Sequence, residues 1–323
     1  MATIDRTSFG LAMLPEQYVK GIVQEATASS VLLSLARTVP MARGVARMPV
    51  LTTLPQAAWI TPRDTGHKPS GMAEWEDVVL TAEEMAVIVP VPEAVLADAD
   101  YDLWGEITPL VSQEFGRLLD LAGLFGTGPF AAGESVVERA IAAENHVAVG
   151  DVIAGRTTPD IVDYLNATMA LVEGDGYVPT GWAAPISQRA GLRGLRTTTG
   201  ELLYAPGEGL GGSAATPSMF GENIAWSRNG GWDATATTGA LFIAADWTKA
   251  IVGIRQDVTV KLLTEATLTD GAGVVTLSLA EQDMVALRIV FRVAFATANP
   301  ITTMAANAAT RSPFAVLQAD ATP

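Results

Sequence analysis

The residue types that could do chemistry are few, and their spacing argues against catalysis. The chain has no cysteine, which excludes disulfides, thiolate metal sites and cysteine nucleophiles. Its only histidines are His67 and His146, and neither has a second histidine or an acidic partner at metal-binding spacing, so both read as exposed loop residues. Asp98, Asp100 and Asp102 resemble the opening of a calcium loop, but the glycine and terminal glutamate that such a loop needs do not follow. They read instead as the cap and solvated start of a helix. Gly207-Glu208-Gly209-Leu210-Gly211-Gly212 fits a dinucleotide pattern in letters only. It has no βαβ context before it, and SAATPSMFG follows in place of a helix, which makes it a flexible loop. Glu83 and Glu84 lie on a β-leaning stretch, where neighbours point to opposite faces and cannot share a substrate. No Ser-His-Asp order and no nucleophile elbow is present. The chain is not expected to be an enzyme, and no cofactor or metal site is expected.

The distinctive side chains that remain gather in one place. Trp59, Arg63, Lys68 and Trp75 lie in or beside the polar stretch TPRDTGHKPSGMAE, and all four are candidates for contact with another subunit. The two tryptophans have two readings: anchors on a neighbouring subunit, where tryptophan is enriched, or a cross-strand pair that steadies the loop. Both stay open at this point.

The totals also point to assembly. Charged residues make up 17% of the 323, below the usual quarter, which suggests surface hidden against partners in a large assembly. The formal charge of −15 argues against a dedicated nucleic-acid reader, which would show a basic face. The longest apolar candidate for a membrane span, Met284 to Ala298, is broken by Arg288 and Arg292. The N-terminus lacks the basic-then-apolar layout of a signal peptide, so a cytosolically made, soluble protein is expected.

The elements are organised around one long helix. Leu103, Ile107, Leu110, Val111, Phe115, Leu118, Leu119 and Ala122 repeat at three and four, which gives a broad apolar stripe. Asp102 is its expected N-cap, Gly123, Gly126 and Gly128 its stop, and Pro109 a bend in its second turn. From Asp102 to Leu124 it would run roughly 33 Å. Before it, Pro15 opens a helix that ends before Pro40. Two β-leaning limbs follow, Val45 to Ile60 and Trp75 to Val91, forming an extended hairpin with little core of its own. Such a hairpin is marginal in water and should lie on another copy of the chain. After the long helix, Phe130 to Ala154 reads as β and turn. Thr158-Pro159-Asp160 starts a helix that stops at Gly174, Trp182 sits in a strand, and a helix runs from Pro185 to about Leu195. Strands follow at Ala240 to Ala245 and Ile251 to Leu263. In the last strand Leu287, Ile289, Phe291, Val293 and Phe295 face one way and Arg288 and Arg292 the other. The tail after Asn299 is expected to fray.

Four passages in this order resemble the Hong Kong 97-type major capsid protein family of tailed bacteriophages. SVLLSLARTVPMARGVARMPVL is similar to the family's N-terminal arm entering its extended loop. WITPRDTGHKPSGMAEWEDVVLTAEEMAVIVPVPEAVLADADYDL is similar to that loop returning into the long spine helix. QEFGRLLDLAGLFGTGP resembles the end of the spine, and LFIAADWTKAIVGIRQDVTVKLL the passage back to the peripheral domain. Their order and spacing carry the likeness, which spans almost the whole chain.

The resemblance implies an α+β fold with an N-terminal arm (residues 1–44), an extended loop (45–91), the spine helix and first part of a peripheral domain (92–157), an axial domain (158–245), the second part of the peripheral domain (246–299) and a C-terminal tail (300–323). It implies a head protein that self-assembles into hexamers and pentamers of an icosahedral shell around double-stranded DNA, found in the virion and assembled in the host cytoplasm. The implied partners are other copies of itself, a separate scaffolding protein, a portal and a decoration protein, with no membrane and no sequence-specific DNA contact. Some members join subunits by an isopeptide bond between a loop lysine and a peripheral-domain asparagine, with a glutamate assisting. Lys68 matches the lysine and Glu281 the acid, but DGAGVVTLSL offers no asparagine, so Lys68 is expected as a solvated loop-tip charge or a partner for a neighbour's carboxylate. An encapsulin-like compartment shell is the alternative. Because the arm helix begins as early as Pro15, scaffolding is expected to come from a separate protein or to be dispensable.

Overall fold

The computed structural model describes residues 30–55, 57–60, 70–94, 103–195, 218–235, 239–269 and 272–320. Of the helix expected from Pro15 to before Pro40, residues 15–29 lie outside the described residues. The rest differs from expectation: a separate short helix α1 (Val31–Leu35) begins at Ser30, whose hydroxyl accepts from the Leu33 N–H, and Arg37–Pro40 is a strand. The spine helix α2 runs from Leu103 to Phe125 with Pro109 inside it. Its expected cap, Asp102, lies outside the described residues.

The stripe on α2 is narrower than its spacing predicts. Val111, Phe115, Leu119 and Ala122 are buried, whereas Leu110 is 65% exposed and Leu118 also reaches solvent. Gly123 does not stop the helix. It lies inside it, where a Cβ would come 2.3 Å from the Leu32 side chain, so the missing side chain lets α1 cross closely. The stop is Gly126, at φ +75°.

The buried edge of α2 rests on a four-stranded sheet. It contains β1 (Arg37–Pro40), β4 (Glu83–Pro92), β10 (Ala250–Leu263) and β13 (Met284–Thr297), in the order β1-β10-β13-β4. The odd-numbered side of β13, Leu287 to Phe295, faces α2 as its alternation predicts. The Phe115 and Phe291 rings stack at 6.3 Å between centroids. On the even-numbered side Arg292 reaches Glu84 with Nε 2.7 Å from its carboxylate.

The limb from Trp75 to Val91 is two strands rather than one. β3 (Glu74–Thr81) pairs antiparallel with β2 (Val45–Thr53), and after Ala82 the chain crosses into β4 of the other sheet. The hairpin also has more core than expected. Leu80 is buried, and with Ala46, Met48, Val50 and Val78 it packs beside Met41, Ile251, Ala294 and Ala296. β13 is therefore sandwiched between α2 and the hairpin base.

A second sheet has six strands: β5 (His146–Ala148), β6 (Gly181–Pro185), β7 (Ser218–Met219), β8 (Glu222–Ser227), β9 (Phe242–Ala245) and β14 (Phe314–Gln318), in the order β5-β14-β9-β6-β8-β7. One face, with Ile243, Ala245 and Val316, joins the core under α2. The other, with Trp182, Phe242 and Leu317, packs on Tyr164 and Leu165 of α4 (Ile161–Gly174) and Leu192 of α5 (Gln188–Gly194). The cap of α4 is Asp160 rather than Thr158. Its carboxylate accepts from the Val162 and Asp163 N–H groups while Asp163 accepts from its own, closing a capping box. A small hairpin of β11 (Thr267–Thr269) and β12 (Val275–Ser278) extends from the β10 end of the first sheet.

Two further expectations fail. The tail does not fray: all five residues of β14 are buried between β5 and β9. The passage from Phe130 to Ala154 contains a helix, α3 (Val136–Ala142), capped by Ser135, whose hydroxyl accepts from the Glu138 N–H. Glu138 accepts in turn from the Ser135 hydroxyl and the Gly133 N–H.

Candidate assembly interface

The hairpin is held at its base and open beyond it. Past the contact of Leu80 with the sheet, Met72 is 72%, Trp75 64% and Trp59 99% exposed. Arg47 stands 3.7 Å from Asp77 across the ladder, and the Thr53 hydroxyl donates to Glu74 at 3.0 Å. Two bonds between exposed groups add little stability, so the outer hairpin is shaped chiefly by its backbone ladder. The cross-strand neighbour of Trp75 is Leu51, not Trp59. Arg63, Lys68 and His67 lie outside the described residues, as do Asp98, Asp100 and the loop Gly207–Gly212. Glu281 is exposed just before β13, and His146 is exposed at the head of β5.

Two buried polar clusters, neither expected from sequence, fix the parts that carry the hairpin. Asp120, on α2, is fully buried. Its carboxylate accepts from the Ser30 hydroxyl at 2.7 Å, the Val31 and Leu32 N–H groups at 3.1 and 3.0 Å, and the Asn229 amide at 2.7 Å. One side chain thus ties the arm, the spine and the loop after β8 together, and satisfies the free N–H groups that open α1. Burial pushes the Asp120 carboxyl above the ordinary carboxylate range, while bonds from Ser30, Leu32, Asn229 and Val31 pull it back. Nothing local in the sequence marks Asp120 for this role. Its partner Ser30 lies 90 residues away.

The second cluster orders the chain between β13 and β14. Arg311, 1% exposed, donates to the carbonyls of Ala305, Ala306 and Asn299 and to the Asn299 side chain at 2.7 to 3.1 Å. The Tyr177 hydroxyl donates to the Asn299 side chain at 2.9 Å. Burial raises the Tyr177 phenol to about 12, with Arg311 opposing the shift. Asp175 accepts from the Asn145 amide and the Ser312 N–H at 2.7 and 2.8 Å, which pins the start of β14.

Among the described residues no three His, Asp or Glu side chains gather as a metal site, and no helix is long and apolar enough to cross a membrane. A cleft of about 540 Å³ lies between α1, α2 and β8. Its lining includes Ser30, Ser34, Pro109, Leu110, Gln113, Trp226 and Arg228; the Ser30 hydroxyl is held by the buried Asp120 carboxylate and caps α1.

Comparison with known proteins agrees with this architecture. A solved structure from Microbacterium phage Oxtober96 is 39% identical and superposes with a TM-score of 0.75 over 90% of this chain and 91% of that one. One from Mycobacterium phage Cain is 33% identical, with a TM-score of 0.77 over 91% and 92%. The major capsid protein of Staphylococcus phage 80alpha is 26% identical over 293 residues, 88% of this chain and 82% of that one. Residues 10–304 match the phage capsid family. With this match, and with an α+β fold of the Hong Kong 97 type, the chain belongs to the phage capsid family and is a phage major capsid protein.

Proposed function

We propose that copies of this chain form hexamers and pentamers of an icosahedral shell around double-stranded DNA, each hairpin lying over a neighbouring copy. The observation that carries this reading is the hairpin: a two-stranded sheet whose outer part exposes Trp59, Met72 and Trp75. A two-stranded sheet is marginal in water, and exposed tryptophans at its outer end suit the buried centre of an interface. Trp59 and Trp75 are the anchors, and Arg63 and Lys68 are contacts at the same tip.

The domains follow the two sheets. The four-stranded sheet with α2 is built around the peripheral domain (92–157 and 246–299), with β1 lent by the arm and β4 by the extended loop, and the six-stranded sheet around the axial domain (158–245). His146–Ala148 and Phe314–Gln318 join the axial sheet by strand pairing. Residues 1–44 form the arm and 45–91 the extended loop. The role is structural rather than catalytic. Assembly takes place in the host cytoplasm with a separate scaffolding protein, a portal and a decoration protein as partners, and the DNA is enclosed without sequence reading.

Replacing both anchors, Trp59→Ala with Trp75→Ala, tests the reading. The variant should keep the far-UV circular dichroism of the wild type but lose at least tenfold in the fraction sedimenting as shells. Shells at wild-type yield would remove the hairpin from the interface.

A further inference from the structure

The face of the four-stranded sheet turned away from α2 carries charges that nothing among the described residues explains. Lys261 of β10 and Arg288 of β13 stand directly opposite in the ladder, and like charges so placed repel. Both are exposed, and among the described residues neither takes part in an ion pair. Arg292, farther along the same face, does have its acid, Glu84. In a chain of formal charge −15 with four lysines, two unmatched cations side by side are out of character. On the other flank of Arg288 stands Ile88, 40% exposed, with Ala86 and Pro90 exposed on the same side of β4. The open face is therefore basic along one half and apolar along the other.

The chain also contains a surface of matching order. At its near end this sheet face is already covered by the hairpin, through Leu80, Val78, Ala46 and Met48 packed by Ala294 and Ala296. Side chains alternate along a strand, so the same side of β3 continues outward from Leu80 and Val78 to Glu76 and Glu74. Both acids are exposed, and the ladder partner of Glu76 is Val50. The sheet-facing side of the hairpin thus turns from apolar to acidic, and within one chain these acids make no ion pair with Lys261 or Arg288 among the described residues.

We propose that Glu74 and Glu76 from the hairpin of a second copy dock on Lys261 and Arg288, with Val50 laid against Ile88. This rests on the hairpin-over-neighbour reading above and assigns its receiving surface. The contact extends to a neighbour the way the hairpin base already lies on its own sheet, and it removes the repulsion between the two cations. A DNA phosphate would be drawn to the same cations but would leave Ile88, Ala86 and Pro90 uncovered.

The test is a charge exchange in the full chain: Lys261→Glu with Arg288→Glu, Glu74→Lys with Glu76→Lys, and all four together. Each pair alone should lower the fraction sedimenting as closed particles at least tenfold, and the fourfold variant should recover to within threefold of wild type. Either pair assembling at the wild-type level, or a fourfold variant no better than the pairs, overturns the proposal. Full yield of Lys261→Glu/Arg288→Glu particles with less DNA would give the face to the genome and overturn it too. Wild-type chain that never assembles would sink the shell reading and this inference with it. Variants assembling normally beside assembling wild type would sink the inference alone. A carbodiimide crosslink offers a check that needs no refolded variant. Peptides joining Lys261 to Glu74 or Glu76 between chains should appear in wild-type particles and not in dissociated chains, and particles without them contradict the contact.

Discussion

Replacing Asp120 by alanine should loosen the junction of arm, spine and the loop after β8. The carboxylate serves four donors: the Ser30 hydroxyl, two backbone N–H groups and the Asn229 amide. The two side-chain donors can turn elsewhere, but the Val31 and Leu32 N–H groups are fixed by α1. Each buried donor left without a partner costs about 1–3 kcal/mol, which gives roughly 2–6 kcal/mol for the two. Removing a buried charge returns part of this, so the net loss should be about 3 kcal/mol, a large share of the roughly 5–15 kcal/mol that holds a domain. Asp120→Asn keeps one acceptor oxygen but turns an amide N–H₂ towards other donors, and should cost about 2 kcal/mol. Ser30→Ala removes a helix cap and should cost about 1 kcal/mol. Urea unfolding of dissociated chains, followed by tryptophan fluorescence and repeated for the double variant, gives the three values and their coupling. Because Ser30 and Asp120 share one bond, the coupling should be at least about 0.5 kcal/mol. A cost under about 1 kcal/mol for Asp120→Ala, or additive effects in the double variant, would refute the reasoning.

Three further outcomes follow from the same geometry. Arg311→Lys replaces a planar fork that serves three carbonyls and an amide oxygen by a point charge, and should cost about 2–4 kcal/mol and open 299–311 to proteolysis; an uncut loop would contradict it. Gly123→Ala should gain up to about 1 kcal/mol of helix propensity, yet its Cβ would meet Leu32 at 2.3 Å, so a net loss is expected in thermal melts and a net gain would show that α1 yields. Burial lifts the Tyr177 phenol to about 12, whereas an unfolded phenol ionises near 10. The folded chain then holds the proton more tightly, so this stability is complete below about pH 10 and is lost as the pH rises to about 12; Tyr177→Phe should flatten the fall of the urea midpoint between those values, and identical slopes would count against it.

What the sequence reveals depends on how local each signal is. The spine helix and β13 were legible because periods near four and two run through many residues, as from Ile107 to Ala122 and from Leu287 to Phe295. The burial of Leu119 beside exposed Leu118 was not, since the width of a stripe is set by what packs on it. Phe314–Leu317 is a four-residue apolar run among alanine, threonine and asparagine, and only the insertion of β14 between β5 and β9 makes it core. α3 has a readable start in Ser135 and Glu138, three apart, but its seven residues are too short a run for a helical period to show. Trp59 and Trp75 are exposed, and the ladder neighbour of Trp75 is Leu51; their role as anchors is the proposal made above. Asp120 and the Lys261–Arg288 pair depend on partners far along the chain and had no local signature.

The most direct test of the shell account is negative-stain electron microscopy of the purified full-length protein, with a denaturing gel of the same sample. The account predicts closed angular particles, or rings of five and six, that dissolve to a single monomer band. Discrete particles of one or two chains under assembly conditions would contradict the shell, and a covalent ladder would contradict non-covalent locking.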